Sequence, residues 1–455
     1  MASAYLSRTP SSNGNQKKFT FSAWIKITKL GGQRTIFCGY YGNQNRYTQF
    51  WQGTDDKIVF FSGDYSTSST TQAVNLKTTR TLRDTSAWYH LVLVVDTTLA
   101  TQADRAKLYI NGELETWDTG YGSHLLPDLN DEYFINVNTT PLHIGTYDTT
   151  STYFDGLMTH IHLTDGYAYA ASDFGETDST SGIWKPKTSP SVTYGTNGFF
   201  LKMENSSDMG EDSSGNNNDF TTSGTITQTE DTPSNNFATL NAVYKAAYQP
   251  TFSTGNLTAT APNSGEYYPA FSSLGVESGK WYMEYKIGAA GTFHIGICSE
   301  NDANTVFPTT DNYMGESSKS VGISDGNGSY YISASATSYG SSYTSGDIIG
   351  LALDMTNKKL YVSKNGTFFN SANPASGTGG IDISGILSSG DIAFFAHSCY
   401  GGTGTRAIEA NFGNGRFGTT ALASSNSDGD GLGLFEYSVP SGYYSLCTKN
   451  IKNYG

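Results

Sequence analysis

Gly346–Thr367 reads GDIIGLALDMTNKKLYVSKNGT. Apolar and polar residues alternate at period two, break across Asp354–Lys358, alternate again through Leu360 and Val362, and stop at Asn365-Gly366. Strands show that period because successive side chains leave opposite faces of the pleat. An Asn-Gly pair accepts the positive φ that a type I′ turn requires at both central positions. The stretch therefore predicts a strand, a tight connection, a second strand and a hairpin turn.

The same plan occurs once more, nearer the N-terminus. Trp88–Asp96, WYHLVLVVD, has the near-continuous apolar run of a deeply buried strand, and Ala106–Glu115, AKLYINGELE, turns at Asn111-Gly112. LVLVVD, a polar connection and KLYINGE thus repeat the order of IGLALD, a connection and KLYVSKNG. The intervening sequence shows no clear repeat, so the expectation is one architecture used twice in tandem. Upstream, FTFSAWIKI places Phe19, Phe21, Ala23, Ile25 and Ile27 on one face and Thr20, Ser22 and Lys26 on the other. Two concanavalin A-like jelly-roll β-sandwiches account for the pattern, making the chain all-β.

Composition agrees and excludes several classes of function. The 455 residues include 51 Gly, 31 Tyr and 24 Phe with only 15% charged residues, a balance that favours strands and turns over helices. The net charge of −14, without a basic run, argues against nucleic acid as a partner. Four scattered cysteines, Cys38, Cys298, Cys399 and Cys447, imply buried thiols rather than a disulfide framework. The start MASAYLSRTPSS lacks a secretory segment, and no apolar run approaches the ~20 residues needed to cross a bilayer, so no membrane insertion is expected.

Longer segments carry a resemblance. Tyr5–Gly31, Phe154–Gly166 (FDGLMTHIHLTDG), Ser172–Lys187 (SDFGETDSTSGIWKPK) and Tyr194–Phe220 resemble a LamG-type module of bacteriophage virion proteins, particularly those of marine phages. Asp231–Asn241, DTPSNNFATLN, resembles the joint that follows it in such proteins, and Gly442–Ile451 their C-terminal edge. The second half is similar to SPRY domains through GKWYMEYKI, FHIGIC, VGISDGNGSYY, the opening hairpin and IEANFGNGRF. The implied organisation is a LamG-like sandwich at 1–203, a polar stretch at 204–236 and a SPRY-like sandwich at 237–455. ENSSDMGEDSSGNNND within that stretch reads either as a flexible linker or as an ordered loop bracing the sandwiches through Phe220 and Phe237. The resemblance implies a virion structural protein, displayed on the particle after assembly in the host cytoplasm.

Motifs that suggest chemistry fail their own context. Gly322-Ile323-Ser324-Asp325-Gly326 matches the nucleophile elbow G-x-S-x-G, but a turn and a further strand follow where a helix is required. Glu113 and Glu115, with Asp118, are the nearest approach to the alternating carboxylates of retaining glycosidases, yet they follow directly on the Asn111-Gly112 turn. His160 and His162 alternate on a strand and form a candidate metal pair, one that a threefold assembly would multiply. Asp428 and Asp430 lie in NSDGDG, which mimics the first half of a calcium loop; Tyr437 stands where the closing Glu belongs, with Glu436 beside it. No cofactor is expected beyond the divalent cation, Ca2+ or another, that these residues would take.

Aromatic loops are the remaining candidates for ligand binding. Tyr330, Tyr331, Tyr339 and Tyr343 cluster in the second half, and Tyr40, Tyr41, Trp51, Trp117 and Tyr121 in the first. Such rings stack on sugars or pack on protein while their polar atoms form hydrogen bonds. Trp24 and Trp281, inside strands, read as packing residues. The expected function is non-enzymatic attachment to a host-surface glycan or protein, as a tail fibre, appendage or capsid decoration. Other virion proteins are the further partners, and the expected assembly is a homo-oligomer, a trimer. A purely structural decoration and a polysaccharide-degrading glycoside hydrolase are the alternatives.

Overall fold

The computed structural model describes residues 3–42, 46–64, 71–289, 291–402, 404 and 406–455. It is almost entirely β, with 41% strand and 6% helix, and the chain forms two compact units, Met1–Gln228 and Thr229–Gly455. Each is a jelly-roll sandwich of two sheets around its own core.

In the first unit a seven-stranded sheet runs in the order Thr221–Ser223, Tyr5–Arg8, Leu142–Ile144, Arg34–Tyr41, Arg46–Gln52, Lys57–Asp64, Thr71–Thr81. It faces a six-stranded sheet ordered Phe199–Leu201, Gly156–Asp165, Lys18–Ile27, Trp88–Asp96, Ala106–Ile110, Glu113–Leu114. Phe21 stacks on Phe37 at 4.5 Å between the sheets, and Phe50 meets Phe21 edge-on. Each such fully buried ring contributes about 1.5–3 kcal/mol.

The second unit repeats the second of these sheets. Its larger sheet runs Thr251–Ser253, Thr258–Ala261, Arg406–Asn411, Lys280–Ile287, Ile348–Asp354, Lys359–Lys364, Thr367–Phe368, with Ile381–Asp382 and the parallel Tyr444–Ser445 attached at its sides. Opposite lies a six-stranded sheet ordered Tyr267–Phe271, Ala393–Tyr400, Thr292–Ser299, Ser320–Ser324, Tyr330–Ile332, Ser335–Thr337.

The tandem motif is repeated down to single bonds. Asn111 and Asn365 have φ of 53° and 48°, followed by Gly112 and Gly366 at 85° and 79°. The Asn111 side-chain oxygen accepts the His90 N–H at 2.7 Å, and that of Asn365 accepts the Ile348 N–H at 2.8 Å. At the far end of the strands Trp88–Asp96 and Ile348–Asp354 that receive these bonds, Lys18 is opposite Asp96 and Lys280 opposite Asp354, with ion pairs of 2.7 and 3.0 Å. Lys18 and Lys280 therefore start equivalent central strands. Phe19, Phe21 and Ala23 point into one core as Trp281, Met283 and Tyr285 point into the other.

Within the polar stretch 204–236, residues 212–223 are ordered on the first unit. Asp212 accepts the backbone N–H groups of Phe200 and Asn218, both at 2.8 Å. Phe220, 3% exposed, packs on Phe199 at 4.7 Å, and Thr221–Ser223 then joins the first unit's sheet beside Tyr5–Ser7. The Asp and Asn side chains that made the stretch look solvated are spent on its own backbone and on that of residues 195–200. Phe237 is buried in the second unit and bridges Cys447. All four cysteines are buried and free.

Candidate functional site: the outer faces of the sheets

In each unit, the outer face of the sheet carrying the tandem motif is closed by chain that follows it. In the first unit this cover is residues 167–200, which bring Phe174, Tyr169, Trp184 and Val192 onto Val92, Val94 and Tyr109. At its centre Ser22 Oγ lies 2.9 Å from His90 Nε2, and the Trp184 indole N–H donates to His90 Nδ1 at 3.0 Å. An indole N–H can only donate, so His90 Nδ1 is an acceptor and the ring proton sits on Nε2, donating to Ser22. Burial lowers the His90 pKa to about 3. This serine–histidine pair has no base with which to activate the hydroxyl.

In the second unit the cover is residues 423–447. Phe435 and Tyr443 pack with Tyr282, Ala352 and Tyr361, and the carboxylate of Glu284, fully buried, accepts the N–H groups of Glu436 and Tyr437 at 2.9 and 2.8 Å. Tyr282 and Asn411 add donors at 3.2 and 3.4 Å. Burial raises the Glu284 pKa to about 7 against these hydrogen bonds, which favour the ionised form.

The opposite sheet of each unit presents half-buried aromatic rings outward. On the seven-stranded sheet of the first unit, Tyr147 meets both Tyr40 and Tyr47 at 4.8 Å, Tyr47 meets Phe61 at 5.2 Å, and Trp51 lies 6.3 Å from Phe61. Tyr5 extends the face past His143, at 6.0 Å. On the six-stranded sheet of the second unit, Tyr267, Tyr313, Tyr331 and Tyr400 gather about His294.

These faces regroup the residues singled out by sequence. Tyr40 belongs to the first face; Tyr41, its neighbour, lies on the other side of the strand. Trp117 is instead fixed to the core edge by its N–H to Ala106 O at 3.1 Å, and Tyr121 sits beneath the Lys77 ammonium at 4.1 Å. Tyr331 belongs to the His294 group, whereas Tyr330 turns to the opposite face and pairs with Tyr339, whose hydroxyl bonds Gly379 O. Tyr343 is a correction: it is 4% exposed, with its hydroxyl donating to Ile323 O at 2.8 Å, and so is a core residue. Trp24 stacks on His90 and Trp281 is core, as packing residues should be.

The residues read as candidate metal ligands are engaged otherwise. His162 is 1% exposed, stacked on Phe200 at 4.0 Å, and its Nδ1 faces the Tyr194 hydroxyl at 3.0 Å. His160, beyond a strand irregularity at φ 47°, pairs with Thr159. Asp428 is buried and takes five donors: Asp430 N, Leu432 N, Ser445 N, Ser445 Oγ and Asn450 Nδ2, all within 3.0 Å. Asp430 accepts the Tyr454 hydroxyl at 2.7 Å. These carboxylates hold loops together and do not fit a cation, and among the described residues no three His, Cys, Asp or Glu side chains converge. Glu113 and Glu115 share one cation, Arg80, at 3.2 and 2.9 Å, while Asp118 pairs with Lys57. Ser324 ends a strand in a hairpin closed by Ser324 N to Ser329 O.

Sequence reading missed Tyr5, Tyr47, Tyr147, Tyr267, Tyr313, Tyr400, His294, Glu284 and Trp184. For Tyr267 and Tyr400 a signal existed, since period two sets them opposite the core-facing Tyr268 and Cys399. Trp184 reaches His90 from 94 positions away, which no local pattern marks.

Comparison with known proteins bears on both units. Residues 2–172 match the Laminin_G_3 family, described as Concanavalin A-like lectin/glucanases superfamily, and residues 280–375 match the SPRY domain family. Most of the first unit's cover lies beyond the first match. No curated protein matches the chain. Among solved structures, the chain is similar to the SPRY domain of human HERC1 (18% identity, 34% of this chain and 87% of that one, TM-score 0.27). A human SPRY domain is similar at 19% identity over 34% and 90% of the two chains, with TM-score 0.25. Domain 4 of AbnA, a GH43 extracellular arabinanase from Geobacillus stearothermophilus in complex with arabinotriose, shows 21% identity over 36% and 67%, with TM-score 0.26.

Proposed function

From an N-terminal concanavalin A-like domain and a C-terminal SPRY domain in one chain, we propose a non-catalytic recognition protein that binds carbohydrate or protein at a host surface as part of a phage virion. One observation carries the recognition reading. In each unit one outer face is closed by the chain's own downstream segment, while the opposite sheet turns half-buried tyrosines outward. Tyr and Trp rings supply rigid contact area with a polar tip at small entropic cost, the usual composition of recognition surfaces.

The virion role is supported by the resemblance of SDFGETDSTSGIWKPK and DTPSNNFATLN to phage modules. Display on a particle would make other virion proteins, and further copies of this chain in a trimer, its assembly partners. The non-catalytic reading is supported by Arg80 holding both Glu113 and Glu115 and by the tautomer of His90, which leaves Ser22 without a base.

The test is attachment of the purified full-length chain to marine bacterial cells. Tyr47→Ala with Trp51→Ala should weaken attachment about tenfold or more, as loss of aromatic anchors does elsewhere, with folding retained. Unchanged attachment by this variant, or release of sugar from the cells by the wild-type chain, would defeat the proposal.

A further inference from the structure

The His294 face of the second unit holds polar atoms that the fold does not use. His294 is 5% exposed, and its Nδ1 is buried without a partner among the described residues. Tyr313, Tyr331 and Tyr267 stand 4.4, 5.4 and 6.0 Å from it, ring to ring, and Tyr400 lies 5.1 Å from Tyr267. All four tyrosines are half-buried, and no described residue bonds their hydroxyls. Buried polar groups are nearly always paired, so the orphaned His294 Nδ1, ringed by tyrosines whose hydroxyls are open to solvent, points to a ligand.

The chemistry of that ligand follows from what lines the face. Burial keeps His294 neutral, its pKa lowered to about 4, and raises that of Tyr267 to about 12. Each group therefore both donates and accepts hydrogen bonds. The charges acting on Tyr267 are those of Glu316 and Asp311, both negative, and each carboxylate is fixed by a backbone N–H, of Tyr313 and Tyr267 respectively. These carboxylates oppose a phosphate or carboxylate on the Tyr267 side, while the Arg406 guanidinium approaches the Tyr400 edge, so a sialylated probe decides whether an anion is taken. A caged ammonium requires ring faces turned to one empty point. Here the His294 imidazole itself stands among the rings, 4.4 Å from Tyr313, 5.4 Å from Tyr331 and 6.0 Å from Tyr267. A sugar ring fits both constraints: its C–H face packs on aromatic carbon, and its vicinal hydroxyls donate and accept as the phenols do.

We propose that Tyr267, Tyr313, Tyr331, Tyr400 and His294 form a binding site for a neutral pyranose of a surface glycan. The site deepens the recognition reading above and rests on it, but it uses residues of the second unit only.

The experiment titrates the full-length protein with neutral oligosaccharides ending in glucose, galactose, mannose or N-acetylglucosamine. A sialylated oligosaccharide and tetramethylammonium serve as the anionic and cationic probes. At least one neutral oligosaccharide should bind at millimolar concentration or below and slow hydrogen exchange at 292–299 and 330–332. Tyr331→Phe with Tyr400→Phe keeps the rings and should weaken that binding about tenfold, as loss of two ligand hydrogen bonds implies, with the unfolding temperature unchanged. Leu129→Ala, an exposed side chain of the other unit, should leave it intact. Full affinity in the double Phe variant, binding of tetramethylammonium or the sialylated probe instead, or no neutral sugar bound would overturn the site. Loss of sugar binding in Trp51→Ala alone would also overturn it, while leaving host recognition standing on the first unit.

Discussion

Ser22 and Glu284 occupy the same place in the two units, four residues after Lys18 and Lys280, outward on the central strand and beneath the unit's own cover. Around Ser22 the contacts are made between neutral groups: a hydroxyl, an imidazole whose proton is fixed, and an indole N–H. Around Glu284 the same task falls to one carboxylate that gathers two backbone N–H groups, a phenol and an amide. A shared fold therefore does not dictate how its outer face is closed. A neutral network spreads the cost of losing any member, whereas a buried carboxylate concentrates it in a single side chain.

Deleting the two centres should separate them most clearly. Glu284→Ala strands the N–H groups of Glu436 and Tyr437, and a loss of about 3–5 kcal/mol in the second unit is expected. Ser22→Ala should cost the first unit about 1 kcal/mol. Denaturant unfolding followed by hydrogen exchange, which resolves the units, measures both; equal costs would end the distinction.

The centres should also respond to pH with opposite sign. Glu284 has a folded pKa of about 7, above its ordinary 4.5, so its favourable contribution is complete below 4.5 and is lost as pH rises through 7. Measured against Glu284→Gln, the wild-type second unit should lose about 3 kcal/mol between pH 5 and 8. His90, lowered from 6.5 to about 3, contributes above 6.5 and loses that contribution as pH falls through 3. Measured against His90→Gln, the first unit should lose about 3 kcal/mol between pH 7 and 4. Parallel slopes would show that the two centres are wired alike.

Trp184→Phe probes the neutral network more gently, removing the donor to His90 Nδ1 while keeping an aromatic cover. A loss of about 2 kcal/mol is expected, and a change under a few tenths in thermal unfolding would mean that the indole N–H holds nothing. The smallest effects test what the units share. Asn111→Ala and Asn365→Ala each remove a side chain that tolerates positive φ and one side-chain bond to the backbone, costing about 1–2 kcal/mol; Asn365→Ala also removes the Nδ2 bond to Asp347 at 2.8 Å. Its cost should exceed that of Asn111→Ala by no more than about 1 kcal/mol; a larger gap in matched unfolding curves would separate the two hairpins.

Much of the frame was legible because it is local. Alternation in FTFSAWIKI and the two Asn-Gly pairs predict strands and turns from neighbours alone, and the structure places both turns at positive φ. The same locality misled at Tyr343, whose Ser- and Gly-rich surroundings look like a loop tip although the ring reaches back to Ile323. NSDGDG looked like a cation loop for a similar reason. Three of the five donors to Asp428, from Ser445 and Asn450, come from the next passage of the chain.

The amino-acid sequence by itself determined the all-β class, the two tandem sandwiches and the hairpins, because the period of a strand and the φ of a turn are properties of adjacent residues. The fold in space set which tyrosines share a face, that Trp184 fixes the proton on His90, and that Glu284 gathers backbone N–H groups beneath the second unit's cover. Those outcomes depend on residues brought together from as far as 153 positions apart, and hydrogen bonds and burial act on distance in space, to which spacing along the chain gives no guide.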